Sequence, residues 1–152
     1  MAALEHRIPP PLVMLAVAAM MWLATFRLNA VDVLGALRWP LIAVFLALGL
    51  LAPLAVRQFS SAKTTVNPLN IAKASSLVTT GVFAWSRNPM YLAMVCVLIA
   101  WALFLTIPWT LLGPAVFVAF ITRFQIIPEE RVMADKFGAE YMAYRARVRR
   151  WI

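Results

Sequence analysis

Four long apolar runs, separated by polar segments, dominate the pattern of hydrophobic and polar positions along this chain. They cover roughly residues 10–26, 39–56, 89–105 and 109–127. A membrane-spanning helix needs about 20 predominantly apolar residues, with a range of roughly 17–25, so each run is long enough to cross a bilayer. The pattern therefore predicts an all-α, polytopic membrane protein with about four transmembrane helices.

The pattern changes after residue 127. Apolar side chains then recur at spacings of three or four, which places them on one face of a helix: Met133, Phe137, Tyr141, Tyr144, Val148 and Trp151. Most of the other positions are charged. A basic amphipathic helix of this kind lies along a membrane surface or packs on the cytoplasmic end of a bundle. We therefore predict a C-terminal amphipathic helix within a single membrane-embedded domain, residues 1–152.

The composition agrees with a membrane protein and excludes several other classes. Hydrophobic residues make up 64% of the 152 positions and charged residues 13%, whereas soluble domains are roughly half apolar. The net charge of +8 does not indicate a nucleic-acid partner, because the cations flank the apolar runs instead of forming a basic stripe. Cys96 lies inside the third run and is expected to be a small buried hydrophobe. With His6 as the one histidine, no metal site is predicted.

The distribution of positive charge predicts the orientation. We interpret the first run as an uncleaved span, since no clear small-x-small cleavage site follows it. Four spans then place both termini and the long loop 57–86 on one side. Twelve of the fourteen lysines and arginines lie on that side: Arg7, Arg57, Lys63, Lys73, Arg87, Arg123, Arg131, Lys136, Arg145, Arg147, Arg149 and Arg150. By the positive-inside rule, that side is cytoplasmic.

Two polar clusters bracket the third and fourth runs. Arg87, Asn88 and Tyr91 lie at the start of the third run, while Glu129 and Glu130 follow the fourth. A chain that crosses a membrane twice returns to the side it left, so the two clusters are expected to meet at the cytoplasmic face. Ionisable groups at membrane depth are functional candidates by default. A site is therefore predicted where the clusters meet.

These residues also have structural explanations. Pro128 favours a helix start, where the two glutamates that follow it would complement the helix dipole. Asn88 could cap a helix that begins at Pro89. Arg87 could anchor the chain to lipid phosphates.

Two stretches of sequence resemble a known family. Residues 77–91 read LVTTGVFAWSRNPMY, and the pair Glu129-Glu130 is followed by FGAEYMAY at 137–144. This order resembles the LVT-x-G stretch, the R-H-P-x-Y motif, the E-E pair and the F-G-x-x-Y-x-x-Y tail of the isoprenylcysteine carboxyl methyltransferase family. The related phospholipid N-methyltransferases share the layout. The resemblance covers about half of the chain.

The resemblance implies a membrane-embedded methyltransferase that takes S-adenosylmethionine from the cytosol. Carried over residue by residue, the family's cofactor contacts fall on Leu77, Val78, Phe83, Asn88, Pro89, Met90, Tyr91 and Glu129. Arg87 could pair with the carboxylate of this cofactor. A proton must leave an amine or thiol acceptor, and Glu130 or Glu129 is the candidate base. Arg87 and Glu130 are therefore the candidate catalytic residues.

Two departures from the family pattern affect the predicted site. The family histidine is Asn88 here, which removes a titrating group. The family arginine that holds the substrate carboxylate is Gln125 here, and Arg123 lies on a different helix face. Gln125 and Arg123 are the candidate substrate contacts. The acceptor group is left open between a carboxylate, an amine and a thiol. The substrate is expected to be a lipophilic or amphiphilic small molecule that enters from the bilayer, and membrane lipids are expected as further partners.

Two other functions remain open from the sequence. In the first, the polar clusters only cap helices and bind anionic lipid, so the protein is a non-enzymatic membrane module. In the second, the protein is a nicotinamide-dependent membrane reductase of similar layout. The chain has no additional glycine run of the kind that binds phosphate, which disfavours the reductase.

Overall fold

The computed structural model describes residues 8–61 and 76–152, and this part of the chain is helical with no strand. The helices are α1 (Pro10–Ala24), α2 (Arg38–Leu48), α3 (Leu51–Ser61), α4 (Pro89–Leu105), α5 (Leu112–Ile121) and α6 (Ile127–Arg147). The all-helical class is confirmed for these residues. Four residues used in the sequence analysis lie outside the described ranges: His6, Arg7, Lys63 and Lys73.

Two helical stretches are long and apolar enough to cross a membrane. They are Gly35–Gln58, with 24 residues, and Pro108–Arg147, with 40 residues. The first and third apolar runs form the shorter helices α1 and α4, with 15 and 17 residues. The four runs are thus all helical: two belong to stretches of 24 and 40 residues, α4 is at the lower end of the range for a span, and α1 is shorter.

The second run is not one uninterrupted helix. Gly49 and Leu50 form a turn between α2 and α3, so the span predicted over residues 39–56 is interrupted at this point. None of the α2 side chains is buried, and Trp39, Val44 and Leu46 are each more than half exposed. An apolar helix with an exposed apolar surface is typical of a helix that faces lipid.

Helix α4 is the centre of the bundle. It packs against α1, α2, α3 and α5, and its small buried residues Ala93, Cys96 and Ala100 allow neighbouring backbones to approach closely. The expected burial of Cys96 is confirmed. The main core joins α4 to α1 and to the stretch from α5 to the start of α6: Val13, Val17, Met21, Tyr91, Leu98, Ala102, Phe117, Ile121 and Ile126.

A tight hairpin connects α4 to α5. Thr106 ends α4 in the left-handed conformation with φ 56°, Ile107 is extended, and Pro108 begins a short 3₁₀ turn. The amide of Val31 donates to the carbonyl of Thr106 at 2.7 Å, which ties the α1–α2 loop to this turn. The predicted hairpin is confirmed, and its two ends return to the same side of the bundle.

The fourth run continues into the tail helix without a break. A π-helical turn, Thr122–Ile126, joins α5 to α6. Pro128 lacks an N–H and its ring crowds the preceding turn, so the widened turn lets the helix pass through this proline. The glutamates therefore do not lie at a free helix N-terminus, and helix capping does not account for them.

The tail helix is shorter and less regular than the sequence predicts. Gly138 kinks α6 with φ 48° and ψ −122°, and the helix ends at Arg147. Val148 is extended, so the predicted helical stripe that reaches Trp151 is wrong beyond this point. Tyr141, Tyr144 and Val148 form a second small core, whereas the side chain of Trp151 packs against the main core.

Candidate active site

The two polar clusters meet at one end of the bundle. Arg87 Nη2 donates to Glu130 Oε1 at 2.7 Å, and Tyr91 Oη donates to Glu129 Oε1 at 2.6 Å. Each contact joins the start of α4 to the start of α6, because the hairpin brings these two helix ends together. The predicted proximity of the clusters is confirmed.

Glu130 is held by two arginines. Besides the contact from Arg87, Arg150 Nε donates to Oε1 at 3.0 Å and Arg150 Nη2 donates to Oε2 at 2.7 Å. The apolar part of the helix ends at Ile127, so Glu130 lies beyond the predicted span. Burial raises the pKa of Glu130, but the hydrogen bonds and positive charges of Arg150 and Arg87 outweigh burial and lower it. Glu130 is therefore a carboxylate paired on both oxygens.

Arg87 binds the end of the chain through Nη1 and Glu130 through Nη2, while its Nε is buried with no hydrogen-bond partner among the described residues. Its Nη1 donates to the carbonyls of Arg145 at 3.1 Å and Val148 at 2.9 Å, and its side chain is only 9% exposed. The guanidinium thus joins α6 to the residues that follow it. With these partners, Arg87 stabilises the site instead of projecting into it.

Glu129 has a different environment from its neighbour. It accepts the hydrogen bond from Tyr91, and no cation of residues 8–61 or 76–152 forms an ion pair with it. Burial raises the pKa of Glu129 to about 8, the hydrogen bond from Tyr91 opposes this rise, and the negative charge of Glu130 adds to it. Glu129 is therefore a buried carboxyl group without a described counter-ion.

The segment before α4 binds the last residues of the chain. The amide of Arg87 donates to the carbonyl of Arg149 at 3.0 Å. Asn88 Nδ2 donates to the carbonyl of Arg150 at 2.9 Å, and Ser86 Oγ lies 3.4 Å from the same oxygen. We call residues 148–151 the strap. Asn88 occupies the N-cap position of α4, as predicted, but its side chain makes no capping bond and donates to the strap instead.

A short 3₁₀ turn, Gly81–Ala84, forms another wall. Phe83 is buried, and its carbonyl accepts a 2.7 Å hydrogen bond from Tyr144 Oη. Gly81 has φ 58°, and a Cβ at this position would lie 1.5 Å from Gln58 Nε2. The glycine therefore allows the backbone to approach Gln58, on α3, closely.

The remaining candidate cofactor contacts flank this turn along the chain. Leu77 packs against the second core, and Val78 and Met90 are half-buried. Pro89 is fully buried at the first position of α4. These residues are near the site along the chain, but the hydrogen bonds at its centre come from other side chains.

The two candidate substrate contacts lie in the π-helical turn. Gln125 is 1% exposed, and its Nε2 donates to the carbonyl of Ile8 at 2.8 Å. Its Oε1 is buried with no partner. The Arg123 guanidinium lies 5.4 Å from the centre of the Phe124 ring. Gln125 is thus oriented by the segment before α1, while Arg123 packs on an aromatic neighbour.

Sequence reasoning missed Arg150 and Ser86. Arg150 appeared only as one of many cations in the tail, since 20 residues separate it from Glu130 and the chain must reverse at Val148 for the two to meet. Ser86 sits directly before the arginine motif and is 3% exposed. Its position directly before Arg87 is the signal that the sequence carries, whereas its burial is seen only in the structure.

Comparisons with known proteins give a family and one relative. The family model described as phospholipid methyltransferase matches residues 11–140. An uncharacterized protein of Haemophilus influenzae is 43% identical over 63 residues, which is 41% of this chain and the whole length of that protein. No solved structure matches.

Proposed function

We propose that this chain, which belongs to the phospholipid methyltransferase family, transfers a methyl group from S-adenosylmethionine to a lipophilic or amphiphilic acceptor that enters from the bilayer. Membership of the family implies methyltransferase activity. The donor, the acceptor and the multi-pass topology are the proposed parts. One observation supports the donor above others: Glu129 is a buried carboxyl group that is hydrogen-bonded to Tyr91 and has no described cationic partner.

A cationic donor fits this environment. Burying a carboxylate is costly unless an opposite charge compensates it, and S-adenosylmethionine carries a sulfonium and an ammonium group. We assign Glu129 and Tyr91 to its binding, with Leu77, Phe83 and Met90 as apolar neighbours from the resembling segment. When bound, this donor supplies an activated methyl group to a nucleophile. Aromatic faces near a sulfonium favour the cation.

The pairing of Glu130 changes its proposed role. A carboxylate that two arginines hold in its ionised form is a weak proton acceptor, so we propose Glu129 in place of Glu130 as the base for an amine or thiol acceptor. Arg87 and Glu130 then serve as positioning residues, because each is engaged by neighbouring groups of the chain. The sequence had suggested catalytic roles for both.

A groove on the side of the bundle supports an acceptor that comes from the membrane. It has a volume of about 570 Å³ and lies between α3 and the segment that leads into α4. Its walls are apolar at Leu51, Leu54 and Leu92, and polar at Gln58 and Ser86. Volumes of 300–1,000 Å³ are typical of small-molecule sites. We propose that an amphiphile lays its apolar part along the leucines, with its head towards Ser86.

Gln125 is a separate candidate contact for the acceptor, since it does not line the groove. The carbonyl of Ile8 fixes the amide orientation, because only the NH₂ group can face a carbonyl oxygen. The buried Oε1 then remains an acceptor. We propose that it disfavours a carboxylate substrate, which has no proton to donate near neutral pH.

The primary experiment measures donor binding. Calorimetry on the purified protein in detergent is expected to detect S-adenosylmethionine. Glu129→Gln is expected to weaken binding at least tenfold, because an amide cannot release a proton and so cannot supply the negative charge that balances the donor. Glu140→Gln, an exposed change on the same helix, is the control. Equal affinity of wild type and Glu129→Gln would overturn the assignment. Tighter binding of a reduced nicotinamide cofactor would favour a reductase.

A second experiment identifies the acceptor and tests the groove. Labelled S-adenosylmethionine is incubated with the protein and native lipids, and the chemistry of the labelled product identifies the acceptor group. Leu54→Trp fills the groove, so it is expected to raise the KM for the acceptor and leave donor affinity unchanged. The matched control is Leu50→Trp, at a position that is 60% exposed. Equal KM values in the two variants would argue against the groove.

A further inference from the structure

Two adjacent glutamates on one helix have opposite surroundings. Glu130 has both oxygens bonded by arginines, whereas Glu129 has one hydrogen bond from a tyrosine. Arg87 contacts only one oxygen of Glu130. Arg150 contacts both oxygens of Glu130. It therefore accounts for most of the difference between the surroundings of the two glutamates.

The position of Arg150 is set by the strap and not by a helix. The strap carbonyls of residues 148, 149 and 150 accept hydrogen bonds from Arg87 Nη1, the Arg87 amide and Asn88 Nδ2, at 2.9, 3.0 and 2.9 Å. Trp151 anchors its far end in the main core. The arginine-asparagine motif therefore holds the segment that carries Arg150.

We infer that Arg150 is a positioning residue of the proposed donor site: with Arg87 it neutralises Glu130, so that Glu129 alone is left to balance a positively charged donor. This inference rests on the proposed function. Without Arg150, the two adjacent glutamates would compete for the donor and for the remaining arginine. The negative charge on Glu130 would then oppose ionisation of Glu129 more strongly.

The charged and titratable groups around Glu129 come from four parts of the chain. Tyr91 faces it from α4, and Glu130 is the next residue of α6. Arg87 comes from the segment before α4, and Arg150 comes from the strap. A change at Arg150 reaches Glu129 through Glu130. The effects of substitutions at Arg150 and at Glu130 on donor binding are therefore expected to be coupled.

The test is a double-mutant cycle read as a pH profile. S-adenosylmethionine affinity is measured from pH 6 to pH 9 for wild type, Arg150→Gln, Glu130→Gln and the double variant. Arg150→Gln is expected to move the midpoint of the profile upward by about one pH unit. In the Glu130→Gln background the same change is expected to have almost no effect. Arg147→Gln, which removes one exposed positive charge from the end of α6, is the control.

The outcomes separate the two proposals. If wild type does not bind S-adenosylmethionine at any pH, the proposed function fails. If wild type binds and Arg150→Gln lowers affinity equally at every pH, or shifts the midpoint as much in the Glu130→Gln background, the role of Arg150 is overturned. Arg150→Lys, which keeps the charge and loses the two-pronged contact, is expected to restore the midpoint at least in part and keeps the test valid if Arg150→Gln fails to fold.

Discussion

At the scale of single residues, the site depends on the contact between Tyr91 and Glu129. The 2.6 Å hydrogen bond holds one oxygen of a carboxyl group that is buried next to the negative charge of Glu130. A hydrogen bond to a charged group contributes about 1.5–3 kcal/mol. The phenol therefore fixes the direction in which the carboxyl group faces a ligand.

Replacement of Tyr91 by Phe removes the hydroxyl and keeps the ring. We expect Tyr91→Phe to weaken S-adenosylmethionine binding about tenfold, which corresponds to about 1.4 kcal/mol, because Glu129 loses its only described donor. Calorimetry measures the change. Tyr141→Phe is the control, since that ring lies in the second core, and a similar loss in both variants would contradict the specific role of Tyr91.

The stability of the protein should depend on pH through Glu129. Its pKa is about 8 in the folded protein against an ordinary value of 4.5, so the folded state keeps a proton that the unfolded chain releases. This contribution to stability is complete below pH 4.5 and is lost as the pH rises through about 8. The slope is at most about 1.4 kcal/mol per pH unit.

Unfolding of wild type and Glu129→Gln in the same detergent, from pH 5 to pH 9, tests this expectation. The free energy of unfolding of wild type should fall with pH relative to that of the variant, which has no titrating group at this position. Two parallel curves would show that Glu129 titrates normally in the folded protein.

At the scale of helices, the junction between α5 and α6 determines where the glutamates lie. A separate tail helix that begins at Pro128 would place them at a free N-terminus. The π-helical turn, Thr122–Ile126, instead carries the helix through the proline, and π-turns are frequent at functional sites. The glutamates thus project from a continuous helix, whose position is fixed by the core below them.

The two glycines with positive φ near the site offer a matched pair of substitutions. Gly138→Ala is expected to cost about 1–3 kcal/mol from backbone strain alone, since no atom lies near its Cβ position. Gly81→Ala adds a collision with Gln58 and should cost more. Chemical denaturation measures both. In a Gln58→Ala background the difference between them should shrink, and an unchanged difference would contradict the collision.

Some of these elements could be predicted from the sequence, and others could not. The apolar runs and the hairpin followed from local pattern, because a helix in a membrane must satisfy its own backbone. The end of α6 did not, since Tyr144, Val148 and Trp151 continue the helical spacing. The chain leaves the helix because Arg87 and Asn88 bond the strap carbonyls. Contacts between residues about 60 positions apart leave no mark on local periodicity.

At the scale of the whole molecule, the site lies at the end of the bundle where the cations are concentrated. Arg87 and Arg150 bind Glu130 there, and Arg145 and Arg147 lie in the last turn of α6. At the other end, Arg27 follows α1 and Arg38 is the first residue of α2. The proposed topology places the site in the cytoplasm, where S-adenosylmethionine would reach it directly.

Labelling of single cysteines tests the topology. In a Cys96→Ala background, Arg149→Cys is expected to react with an impermeant maleimide only from the cytoplasmic side, and Arg27→Cys only from the other side. Labelling is measured in intact cells and in inverted vesicles. Reaction of both positions from the same side would contradict the four-span arrangement.

The short central helices have a consequence for the surrounding lipid. At 1.5 Å per residue, the 15 residues of α1 and the 17 of α4 measure about 23 and 26 Å, whereas the hydrocarbon core of a typical bilayer is about 30 Å thick. If these helices span the bilayer as proposed, local thinning of the bilayer is one way to accommodate them. This hydrophobic mismatch would draw the headgroup plane inward around Ser86 and Glu129, so the lipids that surround the protein would themselves shorten the path of an amphiphile to the site.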